Sequence, residues 1–166
     1  MGMMSMEQEQ QYNLISQEKG ELMEKQSLVS RSVVKNLIRE AVEGMKQAYT
    51  PYSNFRVGAA LLTKSQKIYS GCNIENAAYS PTNCAERTAF FKAISEGERE
   101  FAAIAIVGGK AGVLTDYCPP CGVCRQVIRE FVDPQKFLVI LAKSEDDYLL
   151  YFLEELLPMG FAPENL

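Results

Sequence analysis

With 166 residues, 47% hydrophobic and 23% charged, the chain is long enough for one domain that buries roughly 70% of its unfolded surface. A net charge of −4 is a poor footprint for gripping a polynucleotide, and no apolar run approaches the roughly 18 residues of a membrane span. There is no histidine, which excludes a Ser–His–Asp triad, a Cys–His pair and any metal site that needs imidazole.

Residues 1–27 are rich in Gln, Glu and Met and carry no strong apolar period. They read as an N-terminal extension, flexible or a frayed helix, ahead of a folded domain over 28–166. Ser30 or Ser32 can cap a helix whose apolar face is Val33, Val34, Leu37, Ile38, Ala41, Val42, Met45 and Tyr49. Thr50-Pro51 stops it. Val57–Thr63 predicts a strand, Lys64–Lys67 a turn and Ile68–Asn73 the hairpin partner. A second helix is predicted from about Cys84 to Ser95, then a buried strand over Phe101–Val107 and a Gly-rich loop. Pro119-Pro120 precedes a third helix, about Cys121–Val132, and Phe137–Ala142 is another buried strand. Asp147–Leu157 predicts a short strand and a helical turn before Pro158. The order α-β-β-α-β-α-β plus a terminal element implies an α/β fold with parallel neighbours across each strand–helix–strand crossover.

Five cysteines, three of them within Cys118–Cys124, do not resemble a secreted disulfide framework, and no basic-then-apolar leader is visible. The expectation is a cytoplasmic protein with reduced thiols. Cys84, Cys121 and Cys124 stand at predicted helix starts, where the positive helix ends stabilise thiolates. Cys121 and Cys124 share one helix face, and Cys84 can join them if the two helix starts meet. Three protein ligands leave a fourth tetrahedral position open, as catalytic zinc requires. The Cys-x-x-Cys pair also fits a redox site, or a closed structural zinc completed by Cys118. Likewise Asn83-x-x-Glu86 fits a plain capping box.

Cys84-Ala85-Glu86, followed by Pro120-Cys121-Gly122-Val123-Cys124, matches the three-cysteine form of the zinc deaminase signature, in which the carboxylate works beside the metal without binding it. Further stretches widen the match: Tyr49–Ala60, Gly71–Ser80, Cys84–Ala89, Pro120–Val127 and Leu156–Phe161. Over about Leu28 to Phe161 the chain closely resembles the small, homotetrameric, zinc-dependent cytidine deaminases.

The resemblance implies a three-layer α-β-α sandwich with a mixed sheet. It also implies hydrolysis of cytidine and deoxycytidine to uridine and deoxyuridine with release of ammonia, in pyrimidine salvage. One zinc per chain would be held by Cys84, Cys121 and Cys124, with Glu86 as proton shuttle. Asn73 and Glu75 would bind the ribose hydroxyls, Phe55 would pack on the pyrimidine, and Ala85 would offer it backbone contacts. Arg87 would hydrogen-bond the zinc thiolates. Three thiolates and a divalent ion sum to −1 (−3 + 2), and a guanidinium withdraws part of that surplus. Tyr79 and Phe161 would reach active sites shared between subunits. Cys118 and the length of Gly108–Pro119 depart from the family pattern. The expected partners are a nucleoside and further copies of the chain, not a nucleic acid polymer or a membrane.

Overall fold

In the computed structural model, which describes Gln10, Gly20 and residues 23–166, Ser30 rather than Ser32 is the cap of the helix that follows it. Its hydroxyl accepts from Val33 N–H, one of the donors a helix start leaves unpaired. That helix, α1 (Arg31–Met45), buries Val34, Leu37, Ile38, Ala41 and Met45, the apolar stripe its sequence period predicts. Strand β1 (Phe55–Thr63) and strand β2 (Ile68–Cys72) form the expected antiparallel hairpin, with Gln66 at a positive φ of 68° in its turn.

Helix α2 (Ala85–Ser95) leads to β3 (Phe101–Lys110), helix α3 (Gly122–Phe131) to β4 (Leu138–Ala142), and β5 (Tyr148–Phe152) ends in the one-turn helix α4 (Leu153–Leu156). The sheet order is β2-β1-β3-β4-β5. β3 and β4 are the parallel neighbours expected across α3. Across α2 the expectation of neighbours fails. β2 and β3 run in the same direction, but β1 lies between them, antiparallel to both. The hairpin already pairs β2 with β1, so the free edge of β1 is what receives β3.

Alternation along the strands sends neighbouring side chains to opposite faces. Ala60, Leu62, Ala103, Ala105 and Ile140 meet α1 on one face. Ala59, Leu61, Ile104, Ile106 and Val139 meet Ala85, Ala89, Phe90 and Ile128 of α2 and α3 on the other. The result is the three-layer α-β-α sandwich with a mixed sheet.

Two strand ends move by two residues or more. β1 starts at Phe55 and β3 continues to Lys110, so Gly108 and Gly109 are strand rather than loop and pair with Val57 and Arg56. Their lack of side chains is what lets the following loop fold back. A Cβ on Gly109 would lie 1.8 Å from the Val113 carbonyl oxygen, and one on Gly108 would lie 2.8 Å from Cys118 Sγ. Most of the extension over 1–27 lies outside the described residues. Of the part described, 23–28 are helical. Lys25 is buried there, with its Nζ 2.6 Å from a Glu155 carboxylate oxygen and 5.3 Å from the centre of the Phe152 ring. Packing against the domain therefore begins upstream of residue 28.

Gly71 fixes how closely α2 sits on the sheet. A Cβ there would fall 2.4 Å from the Ala85 carbonyl oxygen and 2.5 Å from Ala89 N, both backbone atoms that cannot swing aside. Gly71→Ala should therefore cost about 1–3 kcal/mol, as overpacking does. A melting curve should read this as a Tm lower by at least ~2 °C. An unchanged Tm would mean that the helix can lift from the strand freely.

Candidate active site

Cys84 and Cys121 are the residues immediately before α2 and α3, each in extended backbone. Their sulfurs approach to 3.8 Å, and with Cys124 they form a group within 4.8 Å of one another. Among the described residues this is the group of three or more Cys, Asp or Glu that could hold a metal ion. Tetrahedral bonds of about 2.3 Å to zinc put two sulfurs about 3.8 Å apart, so the pair fits the ion. Cys118 is not in the group. It packs into the core beside α2 and α3, and burial, with Glu86 and Cys84 nearby, pushes its thiol up to about 11. The four-sulfur arrangement does not form.

The thiols are poised unequally. Cys84 is pulled down to about 5, chiefly by a hydrogen bond from Cys124, with Arg87 and Cys121 adding to it against the cost of burial. Cys124 is held well above the ordinary range, because it donates to Cys84 and is itself buried. Cys121 Sγ accepts from Cys124 N–H at 3.5 Å, the pairing a cap makes at a helix start. Arg87 donates to the Thr82 carbonyl at 3.0 Å and to Cys84 Sγ at 3.7 Å. Burial works against its charge, yet its bond to Cys84 and the nearness of Cys124 keep its pKa above the usual value. Its Nε is buried without a protein partner, the one such side-chain atom among the described residues.

Glu86 is 4% exposed on the first turn of α2. Burial pushes its carboxyl up to about 7, against its own backbone N–H, and the Cys84 thiolate pushes the same way. The capping box that Asn83 and Glu86 could form is not made. Cys84 holds the cap position, and Asn83 Nδ2 donates to Thr88 Oγ1 at 3.0 Å instead. Thr88 in turn donates to the Cys72 carbonyl, tying the start of α2 to the end of β2. Ala85 is the first residue of α2, so its N–H has no partner within the helix.

Asn73 and Glu75 lie on an extended segment just past β2. Ile74 exchanges backbone bonds of 2.9 Å with Asn83, while Tyr49 bonds Asn73 and Glu75 on the other side. This ladder ties the segment to the residue before Cys84. Both side chains turn toward residues 52–57. Asn73 Oδ1 accepts from Val57 N–H and Nδ2 donates to the Phe55 carbonyl, each at 2.8 Å. Glu75 accepts from Tyr52 and Ser53 N–H and from the Ser53 hydroxyl. The Ser53 hydroxyl above all, with the Tyr52 and Ser53 N–H groups adding to it against burial, holds the Glu75 carboxyl below its ordinary range. Phe55 is 40% exposed. Tyr79 is exposed with φ 55° and meets Tyr52 edge-on at 5.9 Å. Phe161 is exposed as well, its carbonyl receiving Gln126 Nε2 at 2.9 Å.

The sequence assigns no role to Ser53, Thr88 or Gln126, and to Asn83 only that of a cap, which it does not fill. Only Ser53 carried a usable signal: a hydroxyl two residues before Phe55 invites a local turn, and its oxygen does accept from Phe55 N–H.

Three cysteines close enough to hold one ion, with a buried carboxyl two residues past the first, are the arrangement of a zinc-binding deaminase centre. Comparison with known proteins narrows the class. Residues 31–140 match the family described as the cytidine and deoxycytidylate deaminase zinc-binding region. Cytidine deaminase of Sporosarcina psychrophila is 50% identical over 133 residues, covering 80% of this chain and 94% of that one. The Halalkalibacterium halodurans cytidine deaminase is 48% identical, covering 78% and 95%. A crystal structure of cytidine deaminase from Burkholderia pseudomallei superposes with a TM-score of 0.70 at 46% identity, covering 76% of this chain and 97% of that one. The chain belongs to the cytidine and deoxycytidylate deaminase family, and its cofactor is zinc.

The thiol inequality is testable by alkylation of zinc-stripped protein at about pH 6.5. A thiol at about 5 is ionised there and one at about 11 is not, and the thiolate is what reacts. Peptide mapping should find Cys84 modified ahead of Cys118 and Cys124. In parallel, Cys118→Ser should keep about one zinc per chain and Cys121→Ser should lose it. The reverse pattern of metal content would reassign the ligands.

Proposed function

We propose that the protein hydrolyses cytidine, and deoxycytidine with it, to the uracil nucleoside and ammonia, within pyrimidine salvage. The observation that carries this reading is Glu86: a carboxyl buried two residues past Cys84, beside a sulfur trio spaced for zinc. In this reading Cys84, Cys121 and Cys124 hold the ion. When bound, zinc supplies the Lewis acidity that brings a water's pKa towards ~7.

Glu86 would take one proton from the attacking water as the water's oxygen bonds to C4 of the pyrimidine, and would deliver it to ring N3. It would then move the remaining proton of that C4 hydroxyl to the amino group as the C4–N bond breaks and the C4=O bond forms, so water and cytidine become uridine and ammonia. A carboxyl raised to about 7 both accepts and returns a proton near neutral pH. Phe55 packs on the base, Ala85 N–H bonds to it, and Asn73 and Glu75 hold the ribose. Arg87 draws charge from the thiolates. The catalytic domain is 28–166, with 1–27 an extension ahead of the family match.

A homotetramer with shared sites is part of the proposal. Tyr79, Met159 and Phe161 expose large apolar side chains on the chain alone, more than a free surface near a polar site needs. A cytoplasmic location is supported by the demand for three reduced thiols. Among the described residues no helix is long and apolar enough to cross a membrane.

Ammonia release from cytidine, deoxycytidine, cytosine and dCMP tests the substrate. The two nucleosides should react, and a preference for cytosine or dCMP would refute the assignment. Glu86→Gln should keep its zinc and lose at least roughly 100-fold in turnover. Near-normal turnover would remove Glu86 from the chemistry. For the shared site, inactive Glu86→Gln subunits co-refolded with Phe161→Ala subunits should regain activity well above either parent. An average of the two would confine Phe161 to its own chain.

A further inference from the structure

We propose that Ser53 is a positioning residue for sugar recognition, setting the direction in which Glu75 meets the ribose and coupling that contact to the Phe55 base platform. The inference rests on the nucleoside reading above and deepens it.

The argument begins with counting. A carboxylate offers about four acceptor positions. Glu75 Oε2 takes Tyr52 N–H at 2.9 Å and Ser53 N–H at 3.2 Å, which uses both of its own. Oε1 takes the Ser53 hydroxyl. Among the described residues one acceptor position is left, on Oε1, and the Ser53 hydroxyl decides where it points. Without that hydroxyl the carboxylate would still be anchored through Oε2, but Oε1 would be free to turn and to bind water.

The same hydroxyl oxygen accepts from Phe55 N–H at 2.9 Å. Phe55 is therefore gripped at both ends of its backbone, its N–H by Ser53 and its carbonyl by Asn73 Nδ2 at 2.8 Å. Asn73 keeps one acceptor position on Oδ1 and one N–H free. Base platform and sugar ligands thus form one hydrogen-bonded unit with Ser53 at its centre. Asn54, between them, sits at φ 54°, a conformation Asn adopts more readily than most residues, and its carbonyl accepts from Ala111 N–H at 2.7 Å. The unit is built into the sheet end rather than hung on a free loop.

Ser53→Ala is the test, on zinc-loaded enzyme. Loss of a hydrogen bond to a charged group should raise KM for cytidine about 10-fold, with kcat within about 3-fold. The penalty should shrink at least about 5-fold for 2′,3′-dideoxycytidine, read as KM or as the inhibition constant against cytidine, because that nucleoside has no hydroxyl for Glu75 to meet and only the Phe55 N–H contact is lost. There the change should stay under about 2-fold. Ser53→Thr, which restores the hydroxyl, should return the cytidine KM to near wild type. Zinc content and Tm measured alongside identify any variant that has simply lost its fold. In that case a Glu75→Gln protein, with the carboxylate's acceptor pattern broken, must show the same selectivity for the missing hydroxyls. An equal penalty on both nucleosides, or no recovery in Ser53→Thr, would overturn the inference while leaving the activity intact. Wild-type protein that releases no ammonia from cytidine would instead overturn the nucleoside reading and this inference with it.

Discussion

The 3.8 Å approach of Cys84 and Cys121 sulfurs is the constraint on which the rest depends. Two helix starts must converge for it to exist, and each brings a positive end that favours thiolate. Gly71 permits the first approach by letting α2 settle on the β2 backbone, and Ala85 and Ala89 complete the small-sided contact. Arg87 then adds a full positive charge beside the sulfurs. Its unpartnered buried Nε is an expense a fold does not normally carry, and it lies on a residue already committed to this cluster.

The site grows outward from the sulfur trio in ordered steps. Asn83 precedes Cys84 and pairs with Ile74, so the Asn73–Glu75 segment is registered directly against Cys84. That segment pairs with Tyr49 on its other side, which brings the turn at 52–53 over Glu75. In the proposed chemistry the distances from metal to base to sugar are thereby held by backbone bonds rather than by long side chains. Such rigidity is what holding a reacting group in place requires.

Much of this was legible in the chain. The thiols were recognisable because metal chemistry demands particular residues at particular spacing, and the helices because their apolar periods are long and regular. Without histidine the search was confined to sulfur and carboxylate. What was not legible depends on contacts far apart in sequence. That β1 separates β2 from β3 follows from which edge is left free, a property of the assembled sheet. Gly108-Gly109 read as a loop because glycine usually marks one. Here it serves the close return of Val113 and Cys118. Asn83 read as a cap because its spacing to Glu86 allowed one, whereas the cap position belongs to Cys84. The commitments of Asn73 and Glu75 to Phe55 and Ser53 were invisible, since alternation tells which way a side chain faces but not what already waits there.

Zinc K-edge X-ray absorption on the purified protein tests the central claim most directly. Two helix starts carrying three sulfurs predict a shell of three sulfurs at about 2.3 Å and one lighter atom at about 2.0 Å. A shell of four sulfurs would bring Cys118 to the metal and contradict the account, and a shell of two would dissolve the convergence of α2 and α3 on one ion.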